Sequence, residues 1–175
     1  MNIFQLKAVD LDNHMLDSFD RYQKTDRVMV FQADTLNEES NGFEEDWTVE
    51  NKRTIVHHFR LVVKNGGAVI AALKERHVHG FAVIEPDTFG EKSTYRELSY
   101  IHVSREVRGT GIGRLLFQKA GQVAKASGAE KLYIGAHPSV ETQEFYQKMG
   151  CVPAQELNSS IYFREPRDIQ LEITL

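Results

Sequence analysis

Val103-Ser-Arg-Glu-Val-Arg-Gly-Thr-Gly-Ile-Gly-Arg-Leu-Leu116 is the stretch on which the reading of this chain turns. Before it, Thr94 to Val103 reads as a strand. After it, Ile112, Leu115, Leu116, Ala120, Val123 and Ala124 share one face of a helix that stops at Ser127-Gly128. Glycines at 109, 111 and 113 let the backbone come close to a ligand and take positive φ where needed. The free N–H groups of the helix's first turn, with the helix dipole, form an anion site, and Arg108 and Arg114 add charge. The expectation is a pyrophosphate cradle. Neither of the common phosphate loops fits: Gly113 is followed by Arg114 rather than Lys and Ser/Thr, and the position three after Gly113 is Leu116 rather than glycine. On this segment alone, a glycine-rich turn without a ligand is the plain alternative.

Working outward, Lys131 to Ala136 reads as a strand, Val140 to Met149 as a short helix closed by Gly150, and Val152 to Leu157 and Ile169 to Thr174 as two last strands. Toward the N-terminus, Ala68 to Glu75 and His79 to Glu85 suggest a hairpin, and Pro86 to Ser93 a loop. Trp47, Ile55, Phe59 and Val62 fit one face of a helix from about Asp46 to Lys64, closed by Asn65-Gly66-Gly67. Ile3 to Val9 reads as a first strand, Asp10 or Asp12 as the cap of a helix to about Tyr22, and Arg27 to Gln32 as a short apolar piece. Hairpins early and alternating strands and helices late point to a mixed α/β sheet with helices on both faces.

The length of 175 residues suits one domain over 1–175. With 41% apolar and 26% charged residues the composition is that of a globular chain. No apolar run approaches the roughly 20 residues of a membrane span, and the first residues lack a signal-peptide pattern. Cys151 stands alone, which excludes an internal disulfide. A cytoplasmic location is the default expectation. The net charge of −4 argues against bulk attraction to nucleic acid. Between Arg27 and Lys52 lie seven of the 25 acids and none of the 21 bases: Asp34, Glu38, Glu39, Glu44, Glu45, Asp46 and Glu50. This run reads as a solvated loop or as an acidic lip that attracts a cationic substrate, with Phe43 and Trp47 free to stack on it.

Arg108-Gly-Thr-Gly111-Ile-Gly113 resembles the acetyl-CoA signature Arg-x-x-Gly-x-Gly of the GNAT superfamily of N-acetyltransferases. Glu97-Leu-Ser-Tyr-Ile-His-Val103 looks like the strand that precedes it there, and Phe145-Tyr146-Gln-Lys-Met-Gly150 like the family's Phe-Tyr-x-x-x-Gly motif. The resemblance implies a mixed, mostly antiparallel twisted sheet of about seven strands, splayed between the fourth and fifth. It implies acetyl-CoA as co-substrate, with backbone groups of Ile101, His102 and Val103 on the pantetheine arm. The N–H groups of Arg108, Gly109, Thr110, Gly111, Ile112, Gly113 and Arg114 would hold the pyrophosphate. Where the family often has an asparagine contacting the cofactor, this chain has Ser139, and Cys151 stands where a phenylalanine is usual.

Attack of an amine on a thioester needs a neutral amine, a polarised carbonyl and a proton for the departing thiolate. An alkylamine is mostly protonated at pH 7, so a base is useful. Glu97, at a position where some members of the resembled family keep a glutamate, is the candidate base, and Tyr146 the candidate acid. His102, of opposite strand parity to Glu97, is a weaker base candidate, and a metal site is not indicated. The function so implied is acetyl transfer from acetyl-CoA to a primary amine, small-molecule or peptide, by direct attack in a ternary complex. The alternative is a non-catalytic acyl-CoA sensor or interaction module of the same fold. The acceptor, the acyl chain length and pairing as a homodimer stay open; nucleic acid and membrane are not expected partners.

Overall fold

The structure is a computed structural model that describes residues 1–32 and 35–175. Its elements run β1 (Asn2–Gln5), β2 (Gln23–Gln32), β3 (Thr35–Glu45), α1 (Val49–Lys64), β4 (Ala68–Lys74), β5 (His77–Phe89), β6 (Tyr95–Val103), α2 (Ile112–Ala126), β7 (Lys131–Ala136), α3 (Val140–Met149), β8 (Val152–Pro153), α4 (Ser159–Arg164) and β9 (Ile169–Thr174). Seven strands form one sheet in the order β1-β4-β5-β6-β7-β9-β8, while β2 and β3 pair separately. Within the large sheet only β6 and β7 run parallel.

Helices cover both faces. On one, Leu116, Phe117, Ala120 and Ala124 of α2 and Tyr146 of α3 pack on Ile70, Ile84, Leu98, Leu132 and Ile134. On the other, Ile55, Val56, Phe59 and Val62 of α1 pack on Val69, Phe81 and Val83. Phe59 is fully buried between Val56 and the sheet, so truncating it to alanine costs about 3–5 kcal/mol. The start of α1 is fixed by a reciprocal cap: Thr48 Oγ1 accepts from Asn51 N–H at 3.1 Å, and Asn51 Oδ1 accepts from Thr48 N–H at 2.9 Å.

Four expectations are corrected. The segment after Asp10 is not a helix; a 3-10 turn at Ala8–Asp10 gives way to further turns. Asp12 and Asp20 each accept the backbone N–H two residues on, at 2.7 and 3.0 Å, which competes with helix hydrogen bonding, while Leu16 and Phe19 still bury. The acidic stretch is largely the strand β3, in register with β2 from Gln23↔Glu45 to Gln32↔Thr35; Asp34 lies outside the described residues. Much of the expected 86–93 loop is strand, because β5 continues through Pro86 to Phe89 past a break in register between Ile84 and Thr88. The strand expected over 152–157 shrinks to Val152–Pro153, and α4 follows, capped by Asn158 Oδ1, which accepts from Ile161 N–H at 3.1 Å.

Two irregularities of β6 position the site. Its pairing with β7 covers only Tyr95↔Lys131, Arg96↔Leu132 and Glu97↔Tyr133, although both strands continue. The sheet is therefore splayed between its fourth and fifth strands, as expected. The closed end of this wedge is tied by the buried Glu172, which accepts from Tyr95 Oη at 2.6 Å, Lys131 Nζ at 2.7 Å and Gln155 N–H at 3.1 Å. On its other edge β6 carries a bulge: Ile84 faces Leu98 but Val83 faces Tyr100, so Ser99 is extra.

Candidate active site

The bulge decides which side chains of β6 meet. Leu98, Ile101 and Val103 join the core under α2. Ser99 instead donates to Glu85 on the α1 side, Tyr100 packs with the α1 core, and His102 sets its ring edge-on against Trp47, 4.8 Å between centroids. Glu97, preceding Leu98, faces the α1 side and is paired with Arg164 of α4. Glu97 and His102 thus share a face, and Val103 lies on the other, the reverse of what unbroken alternation predicts.

On the α2 side is a cleft of about 610 Å³, lined by Ile101, His102 and Val103, by the loop at 107–109 and residues 111–114, and by Phe145 and Tyr146. The loop is built for close approach. Gly109 and Gly111 have φ of +77° and +88°, and a Cβ built on either meets nothing within 4 Å. Among the described residues the backbone N–H groups of 109–114 have no internal acceptor; the first helical bond of α2 is Leu115 N–H to the Gly111 carbonyl at 3.2 Å. Gly113 differs: it lies in the first turn of α2 with ordinary φ, and a Cβ there would make ordinary contact with the Phe145 ring at 3.4 Å. Beyond Glu97 the β7-facing edge of β6 has no partner strand among the described residues. An unpaired strand edge leading to an anion-binding turn is a fit for a pantetheine arm ending in a pyrophosphate.

The remaining cofactor candidates divide. Arg108 spends its guanidinium on the chain itself, donating to the carbonyls of Val103 (2.9 Å), Tyr22 (2.8 Å) and Arg21 (3.1 Å). It fastens the segment before β2 to the end of β6. Thr110 Oγ1 donates to the Val107 carbonyl at 2.6 Å. Ser139 is fully buried as the N-cap of α3, its hydroxyl donating to Thr142 Oγ1 at 2.8 Å; neither Thr110 nor Ser139 lines the cleft. Lys24 and Gln23 of β2 do line it, which no residue pattern in this hairpin foretold. Its placement comes from Met29 N–H donating to the Pro138 carbonyl at 2.8 Å and a bridge between Val28 and Ser139.

Tyr146 is buried on the cleft wall against Phe117 and Phe145. Burial, with smaller contributions from Cys151 and Asp168, drives its phenol far above the usual range, so it stays protonated. Its hydroxyl has no hydrogen-bond partner among the described residues. Cys151 is buried beside it, its thiol pushed up to about 12 by desolvation. His102 is held neutral: burial, then the nearby Arg21 and Arg108, push its pKa well below normal.

On the α1 side a second cavity, about 660 Å³, lies under α4. Five carboxylates line it, Glu85, Asp87, Glu97, Glu165 and Asp168, against Arg164 and His58. His58 Nε2 lies 2.7 Å from Glu85 Oε1, and this contact raises the imidazole's pKa. Burial raises Glu97 above the usual carboxylate range, while Arg164 pulls in the opposite direction. Burial and the neighbouring Glu165 and Glu45 push Asp168 up to about 6. Sequence reading found Glu97 and missed the others, because α4 and the extension of β5 were not foreseen.

The acidic strand contributes less than its charge suggested. Glu38 pairs with Arg27 at 2.6 Å, and Glu45 stands 3.1 Å from His137 Nε2 and 3.7 Å from Arg21. Phe43 packs on His137 and under Arg167, and Trp47 packs on Phe19 and Phe81, so neither is free to stack on a ligand as expected.

The turn with free N–H groups, the splayed strands and Tyr146 on the cleft wall agree with a family comparison. A model of the acetyltransferase (GNAT) family matches residues 32–151. The chain belongs to the GNAT acetyltransferase family. No curated protein sequence matches it significantly. Among solved structures, a nourseothricin acetyltransferase superposes with a TM-score of 0.69 at 18% identity, covering 99% of this chain and 97% of that one. An acetyltransferase from Bacillus anthracis strain Ames, solved with acetyl coenzyme A, superposes with a TM-score of 0.67 at 18% identity over the same shares. The PaiA N-acetyltransferase of Thermoplasma acidophilum, solved with coenzyme A, covers 100% of both chains with a TM-score of 0.57 at 13% identity. These likenesses establish the GNAT fold over the chain's length. Among the described residues no helix is long and apolar enough to cross a membrane.

Proposed function

We propose that this GNAT protein transfers an acetyl group from acetyl-CoA to a primary amine by direct attack in a ternary complex. The observation that carries the reading is the pair of cavities on opposite faces of the sheet, both bordering the stretch of β6 that β7 leaves unpaired. Acetyl-CoA would lie in the α2-side cleft, its pyrophosphate on the N–H groups of 109–114 and its thioester at the wedge beside Ile101–Val103. The amine would enter from the acidic cavity. Glu97, at the boundary of the paired and unpaired stretches, is placed to accept a proton from the attacking nitrogen, directly or through water. The nitrogen bonds to the thioester carbon, the C–S bond breaks, and the sulfur takes a proton from Tyr146, which burial keeps protonated. Support for the amine side is the acidic lining, which raises the local concentration of a cation.

The test is thiol release from acetyl-CoA across a panel of alkylamines, arylamines and peptide N-termini, beside thermal stabilisation by acetyl-CoA. Amine-dependent thiol release supports the enzyme. Stabilisation without thiol release on any amine replaces it with an acyl-CoA-binding module.

A further inference from the structure

Glu97 is 10% exposed at its side chain and is met by one cation, the Arg164 guanidinium. The other titratable groups facing it are Glu85 from β5, His58 from α1, Tyr100 from β6 itself and Tyr133 from β7; Glu85 and His58 hold each other. The two ends of the Glu97–Arg164 pair are held unequally. Glu97 is fixed on a central strand between Arg96 and Leu98. Arg164 is the last residue of the six-residue α4, with a side chain 56% exposed and one nitrogen on the carboxylate. The guanidinium also acts on Glu85 and Asp168. An arm released from Glu97 therefore finds other carboxylates on the same cavity wall. The pair can therefore open without stranding the guanidinium, while the buried Glu97 carboxylate needs another cation in its place.

We infer that Arg164 holds the acceptor's place on Glu97, and that the acceptor class is an alkylamine that arrives as an ammonium ion and displaces the guanidinium. This rests on the acetyl-transfer reading and adds a specificity-determining residue to it. An ammonium can replace the guanidinium charge for charge, leaving Glu97 paired throughout. A neutral arylamine would have to separate the pair and leave a buried carboxylate uncompensated. The arrangement thus selects by charge at the proton acceptor itself. The step requires no co-reactant: Arg164 leaves, the ammonium takes its position and passes one proton to Glu97, which releases it to water; the nitrogen, now neutral, attacks, and the second proton it loses on forming the amide passes to the same carboxylate.

The experiment compares wild type with Arg164→Ala and Arg164→Lys in the thiol-release assay, using 1,4-diaminobutane and aniline as acceptors. With the competitor removed, the diamine KM in Arg164→Ala should fall about two- to fivefold, the size of one half-exposed ion pair. Arg164→Lys should keep the wild-type diamine KM, and the diamine should stay preferred over aniline in both variants. Carbon-13 NMR of the Glu97 carboxyl, assigned through Glu97→Gln, gives a readout independent of turnover: its titration should move to higher pH in Arg164→Ala. Wild-type turnover with an unchanged or raised diamine KM in Arg164→Ala overturns this inference alone, as does an unmoved Glu97 titration. Absence of thiol release by wild type with any amine overturns the acetyl-transfer reading, and this inference with it.

Discussion

Gly111→Ala separates the two roles of the turn, because the residue caps α2 in the left-handed region with open space around it. In the free protein the added methyl group clashes with nothing within 4 Å, so its cost is the φ of +88°. For a residue with a Cβ that is roughly 1–2 kcal/mol. In a chain of this size the melting temperature then falls by about 2–8 °C. Gly128 provides the control. It has φ of +90°, nothing within 4 Å, and sits at the far end of α2. Gly128→Ala should lower the melting temperature by the same amount. Only Gly111→Ala should also lose CoA, because its methyl group occupies the space a pyrophosphate needs to reach the free N–H groups. Losing one charge-assisted hydrogen bond costs about 1.5–3 kcal/mol, or on the order of 10- to 100-fold in Kd. Isothermal titration calorimetry with CoA at matched folded fraction reads this directly. Equal CoA affinity in the two variants would refute the assignment of the turn as the pyrophosphate site.

Tyr146→Phe keeps the packing of the ring and removes the proton, so turnover with acetyl-CoA and an amine should drop about 10²-fold while CoA affinity holds. Near-normal turnover in that variant makes Tyr146 a core aromatic. Glu97 has its pKa raised by burial, and as the proposed base it would act only when ionised, so activity should fall as pH drops through that raised pKa; Glu97→Gln should abolish this acid limb in kcat/KM. Asp168 carries a carboxyl at about 6 in the folded state against 3.8 when free, so the folded chain binds the extra proton and stability declines as pH rises between about 4 and 6. Asp168→Asn removes that loss, and its melting temperature should exceed wild type above pH 6, converging below pH 4; parallel curves would show that Asp168 is not buried in solution.

What the sequence made legible is what local pattern governs. The face of α2 has a clear period, so α2 and its strand neighbours β6 and β7 fall close to where apolar spacing and the Gly128 stop put them. The turn and Tyr146 were legible because their chemistry is concentrated in consecutive residues. The acidic cavity is assembled from distant segments, His58, Glu85, Glu97 and Asp168, and no window contains it. Arg164 escaped because α4 is shorter than two turns and follows a stretch that alternates like a strand. The role of Glu45 escaped for a related reason: a charge run reads as solvated until the fold shows one member turned toward Arg21 and His137.

The extra residue at Ser99 gives β6 something like a reading frame. Upstream of it, odd positions such as Glu97 face α1; downstream, even positions such as Tyr100 and His102 do. Deleting Ser99 alone would remove the bulge and restore plain alternation, leaving Tyr100 and His102 on the α1 side and Ile101 and Val103 under α2, with only the Ser99–Glu85 hydrogen bond lost. One residue inserted after Tyr100 would instead turn Ile101 and Val103 toward the acidic cavity and drive His102 into the aliphatic layer beneath α2. A substitution in this strand changes one contact, whereas a one-codon insertion past the bulge rewrites both cavities at once. Insertions in relatives of this chain should therefore collect in the loops and at the β2–β3 pair and spare the run from Tyr100 to Val103.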